Sequence, residues 1–246
     1  MIQTTALKAA SFLFNNAYFV YKPLYYRFKK LQDKSLIAVF KRLIKPGDVI
    51  VDAGANIGFY SGMFCELAGN SGRVFSFEPD EKNFTKLKET LSAFSNCELI
   101  NAAVGNKSGV LKFYTSHRLN VDHRTIEPEE YDSVEEVKCF SLDDYFNSRQ
   151  KIDFIKLDIQ GAEMDALIGM EKIIEENPKL KIISEFWPYG LLRAGHDVEA
   201  FFNFLKERNF TIKKINSDGS LAELSFKDVQ GKNEETFDAN ILISKI

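Results

Sequence analysis

A chain of 246 residues is long enough for one large domain, or for a domain carrying a short appendage. Its apolar fraction of 45% excludes an intrinsically disordered chain, and a net charge of −3 argues against a nucleic-acid partner, which wants a basic face. Cys65, Cys97 and Cys139 are odd in number and lack CxxC or metal spacing, so free thiols in a reducing compartment are expected.

Residues 1–33 stand apart: Lys8, Lys22, Arg27, Lys29 and Lys30 face a single acid, Asp33, among many aromatics. They read as a helical appendage, residues 1–45, ahead of a main domain over 46–246. A lid or acceptor-binding arm is the sharper reading, and a peripheral membrane contact is the weaker alternative. Asn15, Asn16, Lys22 and Pro23 interrupt any signal-peptide core, and no run of about twenty apolar residues is present, so a cytoplasmic protein without a transmembrane segment is expected. Leu36 to Leu43 has helical spacing, closed by the turn Lys45-Pro46-Gly47-Asp48.

Strand and helix signals then alternate. Val49 to Asp52 predicts a strand, Gly58 to Ala68 a helix, and Arg73 to Glu78 a second strand; a helix capped by Asp80 runs to Phe94, and Cys97 to Val104 is a third strand. Val110–Thr115 and Val134–Phe140 look like strands flanking a long polar loop, 116–133, that carries His117, Arg118 and His123. The alternation resumes with strand Asp153–Ile159, helix Ala162–Glu176, strand Lys181–Phe186 and helix Asp197–Asn209. Thr211–Asn216 and Asn240–Ser244 have no helix-length pattern between them and can pair as a hairpin. Apolar strands alternating with helices predict a mostly parallel sheet covered on both faces, with one antiparallel strand near the C-terminus.

In such a sheet ligands bind at the carboxyl ends of the strands. Asp52-Ala-Gly54-Ala-Asn56-Ile-Gly58 lies at the first strand-to-helix junction. Gly54 permits a backbone close under a ligand, whose space a side chain would occupy. Asn56 is placed to cap the next helix, and Gly58 lets that helix approach the strand. The charge of Asp52 suits an amino or sulfonium group and repels a pyrophosphate. Glu78, about twenty residues on, can accept both hydroxyls of a ribose, and Pro79 stops its strand. Asn101 offers an amide to an adenine edge, with Ala102 and Ala103 leaving room for a flat ring. Asp158 and Glu185 end the fourth and fifth strands beside the same cleft.

These segments together are similar to the FkbM-type methyltransferases. The likeness rests on Val51-Asp-Ala-Gly-Ala-Asn-Ile-Gly-Phe-Tyr60, Phe77-Glu-Pro79, Ala102-Ala-Val-Gly105, Ser141-Leu-Asp143 and Ile155-Lys-Leu-Asp-Ile-Gln-Gly-Ala-Glu163, and it spans roughly Asp48 to Phe186. It departs from the commoner family pattern at Gln160, where Glu is frequent. The resemblance implies a Rossmann-like class I methyltransferase with a seven-stranded sheet, S-adenosylmethionine as cofactor, and methylation of a hydroxyl on a sugar, polyketide or other small metabolite.

Removing the acceptor proton needs a base. Asp158, Glu185 and His117 are the first candidates, with His123, His196 and Glu163 behind them. A divalent ion on Asp158 and Glu185 has no spacing signature, so no metal is assigned. The rival functions are an NAD-dependent oxidoreductase, although GxGxxG is absent, and a non-catalytic cofactor-binding protein.

Overall fold

The computed structural model describes residues 2–115, 131, 133–147, 150–232 and 236–245, with side chains from residue 9 onward. Three helices open the chain: α1 (Ile2–Asn16), α2 (Tyr18–Gln32) and α3 (Lys34–Leu43). The joints are single residues: Tyr21 N donates back to Ala17 O, and Ile37 N to Asp33 O, so the helical ladder restarts at once.

The expected alternation follows as β1 (Val49–Ala53), α4 (Phe59–Ala68), β2 (Arg73–Phe77), α5 (Glu81–Leu91) and β3 (Cys97–Ile100). Asp80 caps α5, its carboxylate accepting from Asn83 N at 2.7 Å. The expected single strand over 97–104 is instead broken. The chain turns at Ala102, whose N–H donates to Ile100 O, and β4 (Ala103–Val104) leaves for a second, three-stranded sheet with β5 (Gly109–Thr115) and β6 (Ser133–Phe140).

The remaining elements are α6 (Leu142–Phe146), β7 (Phe154–Leu157), α7 (Glu163–Ile168), α8 (Glu171–Glu176), β8 (Lys181–Phe186), α9 (Pro188–Arg193), α10 (Val198–Glu207), β9 (Phe210–Ile215), β10 (Leu221–Glu223), α11 (Phe226–Val229) and β11 (Ala239–Lys245). The helix expected over 162–176 is two helices. At the break Gly169 passes so close to Gly105 that an added Cβ would lie 2.1 Å from its carbonyl oxygen. Asp143 then caps α8, accepting from Lys172 N and Ile173 N at 3.0 Å each. The acid of the Ser141-Leu-Asp143 motif is therefore a fold element.

Among the described residues the main sheet has eight strands, in the order β10-β9-β11-β8-β7-β1-β2-β3. β1, β2, β3, β7 and β8 are mutually parallel, and β11 runs antiparallel to both β8 and β9, as the hairpin reading expects. The eighth strand, one more than expected, is β10. It pairs only with β9 and only over three residues, too short to leave a periodic signal.

Alternate residues of the central strands face opposite layers. Ile50, Val74, Phe154 and Ile183 pack on one side with α3 and α4 residues, while Val51, Phe75, Ile155 and Ile182 pack on the other. Phe40, Phe64 and Phe154 are fully buried and meet at 5.0–6.2 Å between ring centres. Each such ring stabilises the fold by about 1.5–3 kcal/mol. Strand order reverses between β1 and β7, which opens a crevice at their carboxyl ends.

Candidate active site

A cleft of about 470 Å³ occupies that crevice. Its floor is the turn after β1. Gly54 has φ +80°, and both Gly54 N and Ala55 N donate to Phe77 O, at 3.0 and 2.9 Å. A Cβ on Gly54 would lie 2.0 Å from the carbonyl oxygen of Asp158. The crossing of two backbone segments is thus by itself enough to require the glycine, which also lines the cleft. Asn56 also differs from expectation. It sits at φ +50° with its own side-chain oxygen accepting from Ile57 N at 2.7 Å, and the N-cap position of α4 falls to Gly58. Gly58 makes room for α5 rather than for the strand, since a Cβ there would lie 2.8 Å from Leu87 Cδ1.

Glu78 is buried in the wall beside this turn. Its carboxylate accepts from Asn56 N at 2.8 Å and from Asp80 N at 3.0 Å, so the acid fixes the turn and still lines the cleft. Asn101 stands behind that wall. Its amide donates to Glu78 O at 3.0 Å and Pro79 O at 3.2 Å, and the residue does not line the cleft. Pro79, Ile57, Phe77, Ala102, Ala103 and Phe113 leave an apolar slot next to the carboxylate.

The opposite end is acidic. Asp52 does not face the cleft: its carboxylate is fully buried, accepting from Ser61 Oγ at 2.6 Å and from Lys156 Nζ at 3.2 Å. Lys156, which sequence reasoning assigned no role, also lies 3.4 Å from the Asp158 carboxylate and donates to Gly54 O. Burial alone would lower its pKa, but Asp52 and then Asp158 outweigh burial and keep it a firm cation. Its only sequence signal was alternation, which puts Lys156 on the same strand face as Asp158 and opposite the core residues Ile155 and Leu157. Burial also opposes the charge on Asp158. Lys156, then Lys29 and the Gln160 amide, more than offset it and hold that carboxyl below the usual aspartate range.

Gln160, at φ +56°, ties the two acids of the cleft together. Its amide nitrogen donates to Glu185 at 2.9 Å and to Asp158 at 3.2 Å. Burial, reinforced by the Asp158 charge, pushes Glu185 up to about 8. Glu163 is pushed up to about 7 by burial, but it braces the loop, accepting from Ile159 N and Gly161 N, and does not line the cleft. His117 and His123 lie outside the described residues. His196 lies 3.2 Å from Asp165 and away from the cleft. Among the described residues, no cluster of three or more His, Cys, Asp or Glu side chains could hold a metal ion.

The chain matches the family model of the methyltransferase FkbM domain over residues 52–212. It belongs to the FkbM methyltransferase family. A search among curated protein sequences found no match. Solved structures of similar fold include a proposed rRNA methylase from Clostridium thermocellum, with a TM-score of 0.51, 16% identity, and 87% of this chain and 94% of that chain covered. Another is a proposed methyltransferase from Streptococcus mutans in complex with SAH, with a TM-score of 0.49, 13% identity, and 86% and 96% covered. The Rossmann-like methyltransferase fold expected from the sequence is therefore the observed one. The cofactor of this family member is S-adenosylmethionine, and the oxidoreductase alternative is set aside.

The residues present fit that cofactor. The apolar slot beside a buried, hydrogen-bonded Glu78 suits a nucleoside with a ribose diol, and the ionised Asp158 suits an ammonium group. Facing the FkbM turn across the cleft is α2, which contributes Tyr25, Phe28, Lys29 and Gln32. Asp33 anchors that wall, bonded both to the Tyr60 hydroxyl and to Lys29. Tyr18, Tyr21 and Tyr26 pack around Ile57 behind it. The arm, which the sequence offered as a lid, meets the cleft through α2. Trp187, just past β8, is folded down onto Gly190 at the start of α9 and does not line the cleft.

Proposed function

We propose that this FkbM-family protein transfers a methyl group to a hydroxyl of a small sugar-like or polyketide-like acceptor, held between the sheet edge and α2. The observation that carries the reading is the Asp158–Gln160–Glu185 bridge at the floor of the cleft. It sets two carboxyls side by side with pKa values driven apart, which assigns them different tasks. S-adenosylmethionine, when bound, supplies an activated methyl on a sulfonium centre that leaves as a neutral thioether. Asp158 stays ionised beside Lys156 and orients the cationic end of the donor. Glu185, with its pKa near the working range, takes the acceptor proton as the new oxygen–carbon bond forms. Glu78 and Pro79 hold the nucleoside end, and Gly54, Asn56 and Ala103 shape its seat. Tyr25 and Tyr60 offer flat, polar-edged rings to the acceptor and help exclude water.

Two measurements test this. Calorimetric titration with S-adenosylhomocysteine should show binding. Label from a methyl-labelled donor should then pass to hydroxylated metabolites in a panel, and Glu185→Gln should lower transfer by about 10²–10⁴-fold while keeping cofactor affinity. Transfer to amines or to RNA instead would overturn the hydroxyl assignment, and binding without any transfer would favour a non-catalytic role.

A further inference from the structure

The cleft uses Tyr25, Phe28, Lys29 and Gln32 of α2. Tyr18, Tyr21, Tyr25 and Tyr26 turn toward the body of the protein. Leu24, Phe28 and Leu31 are 56%, 59% and 71% exposed; Phe19 at 82%, elsewhere on α2, and Phe12 on α1 at 64% are exposed as well. Leu24, Phe28 and Leu31 are four and three residues apart and so form a single outward stripe. Five of the nine large exposed apolar side chains among the described residues thus sit within twenty positions of the chain. Arg27 beside the stripe and Lys30 further round the helix on the same flank are exposed too. Residues 1–32 hold five basic residues and no acid, although the chain as a whole is acidic.

We infer that α2 and the end of α1 form a docking surface for an anionic lipid membrane. The apolar stripe would sink into the headgroup–acyl boundary while Arg27 and Lys30 meet the lipid charges. Charge selects this occupant over a second copy of the chain. A two-fold pairing through the stripe would set the basic flanks against each other, with no acid on residues 1–32 to receive them. The arm lies on the surface rather than crossing it, since no described helix is long and apolar enough to span a bilayer. Phe28 both belongs to the stripe and lines the cleft, so docking brings the mouth of the cleft to the headgroup level. The inference does not depend on the methyl-transfer reading and is read without activity.

The test is co-sedimentation of the full chain with vesicles of phosphatidylcholine alone and of phosphatidylcholine mixed with phosphatidylglycerol. The wild type should partition onto the mixed vesicles, less onto the neutral ones, and release as salt is raised. R27Q/K30Q should weaken partition about thirtyfold, and L24S/L31S at least about tenfold, with melting temperatures unchanged because these side chains are exposed. A wild type that stays in solution, or variants that bind like it, would overturn the inference. So would a wild-type dimer in sedimentation equilibrium that L24S/L31S converts to monomer.

Discussion

The two walls of the cleft are built by different means. The sheet wall is held by backbone: Gly54 passes under the Asp158 carbonyl, two N–H groups share Phe77 O, and Glu78 is clasped by the N–H groups of Asn56 and Asp80. The arm wall is held by side chains, with Tyr18, Tyr21 and Tyr25 stacked at 5.5–6.1 Å and Lys29 and Tyr60 joined through Asp33. Backbone crossings accept few residue types, whereas a stack of rings tolerates exchange among apolar and aromatic ones. The first wall therefore constrains its sequence tightly, and the second does so weakly.

If that contrast is right, the gravest lesion in the cleft is one methyl group. Gly54→Ala puts a Cβ against a backbone oxygen at a φ that L-residues avoid, and should cost about 3 kcal/mol or more of stability. S-adenosylhomocysteine binding should go with it, read by thermal melting and calorimetry together. A fully stable variant that fails only to bind would favour the ligand-space explanation of Gly54. Next in size is Glu185→Gln, expected to lower transfer by about 10²–10⁴-fold at unchanged cofactor affinity. Wild-type transfer should rise as pH passes about 8, where Glu185 loses its proton. Stability should move the other way. A carboxyl raised from 4.5 to about 8 favours the folded state while protonated, so its contribution is complete below 4.5 and is lost as pH climbs through about 8. The Gln variant should flatten both slopes.

Glu78→Gln probes the sheet wall more gently. It keeps one acceptor for the clasping N–H groups but loses the charge, and should cost about 1.5–3 kcal/mol of S-adenosylhomocysteine affinity. A donor analogue lacking a ribose hydroxyl should shrink that loss; an equal loss would move the ribose elsewhere. Glu78 was legible in the sequence because a strand end and a fixed distance from a glycine turn place it. The parallel sheet was legible for a similar reason, its apolar runs being separated by helical periods. What escaped was set by long-range contacts. The break at Gly169 is imposed by Gly105, Asn101 is spent on the Glu78 and Pro79 carbonyls, and the Asp52 charge is answered by Lys156, more than a hundred residues away. No local pattern carries such pairings.

The smallest expected effect tests whether the arm reaches across the cleft electrically as well as sterically. Lys29 is half-buried, is paired with Asp33 and lies 5.5 Å from the centre of the Tyr60 ring. Its charge is one of the influences that hold Asp158 low, after Lys156 and against the larger opposing effect of burial. Lys29→Met keeps much of the apolar stem and removes the charge. With one cation fewer, Asp158 should take up its proton at a higher pH, so the acidic limb of the S-adenosylhomocysteine affinity profile, where Asp158 stops holding the cationic end, should move upward by less than about one unit. Stability should change by no more than about 1 kcal/mol, the usual worth of an ion pair that still meets water. An arm that acts only as an apolar cover predicts a different pattern: an unmoved acidic limb, whatever happens to the melting temperature. The shift should also shrink in high salt if water reaches the Lys29–Asp158 gap, and persist if α2 keeps that gap dry.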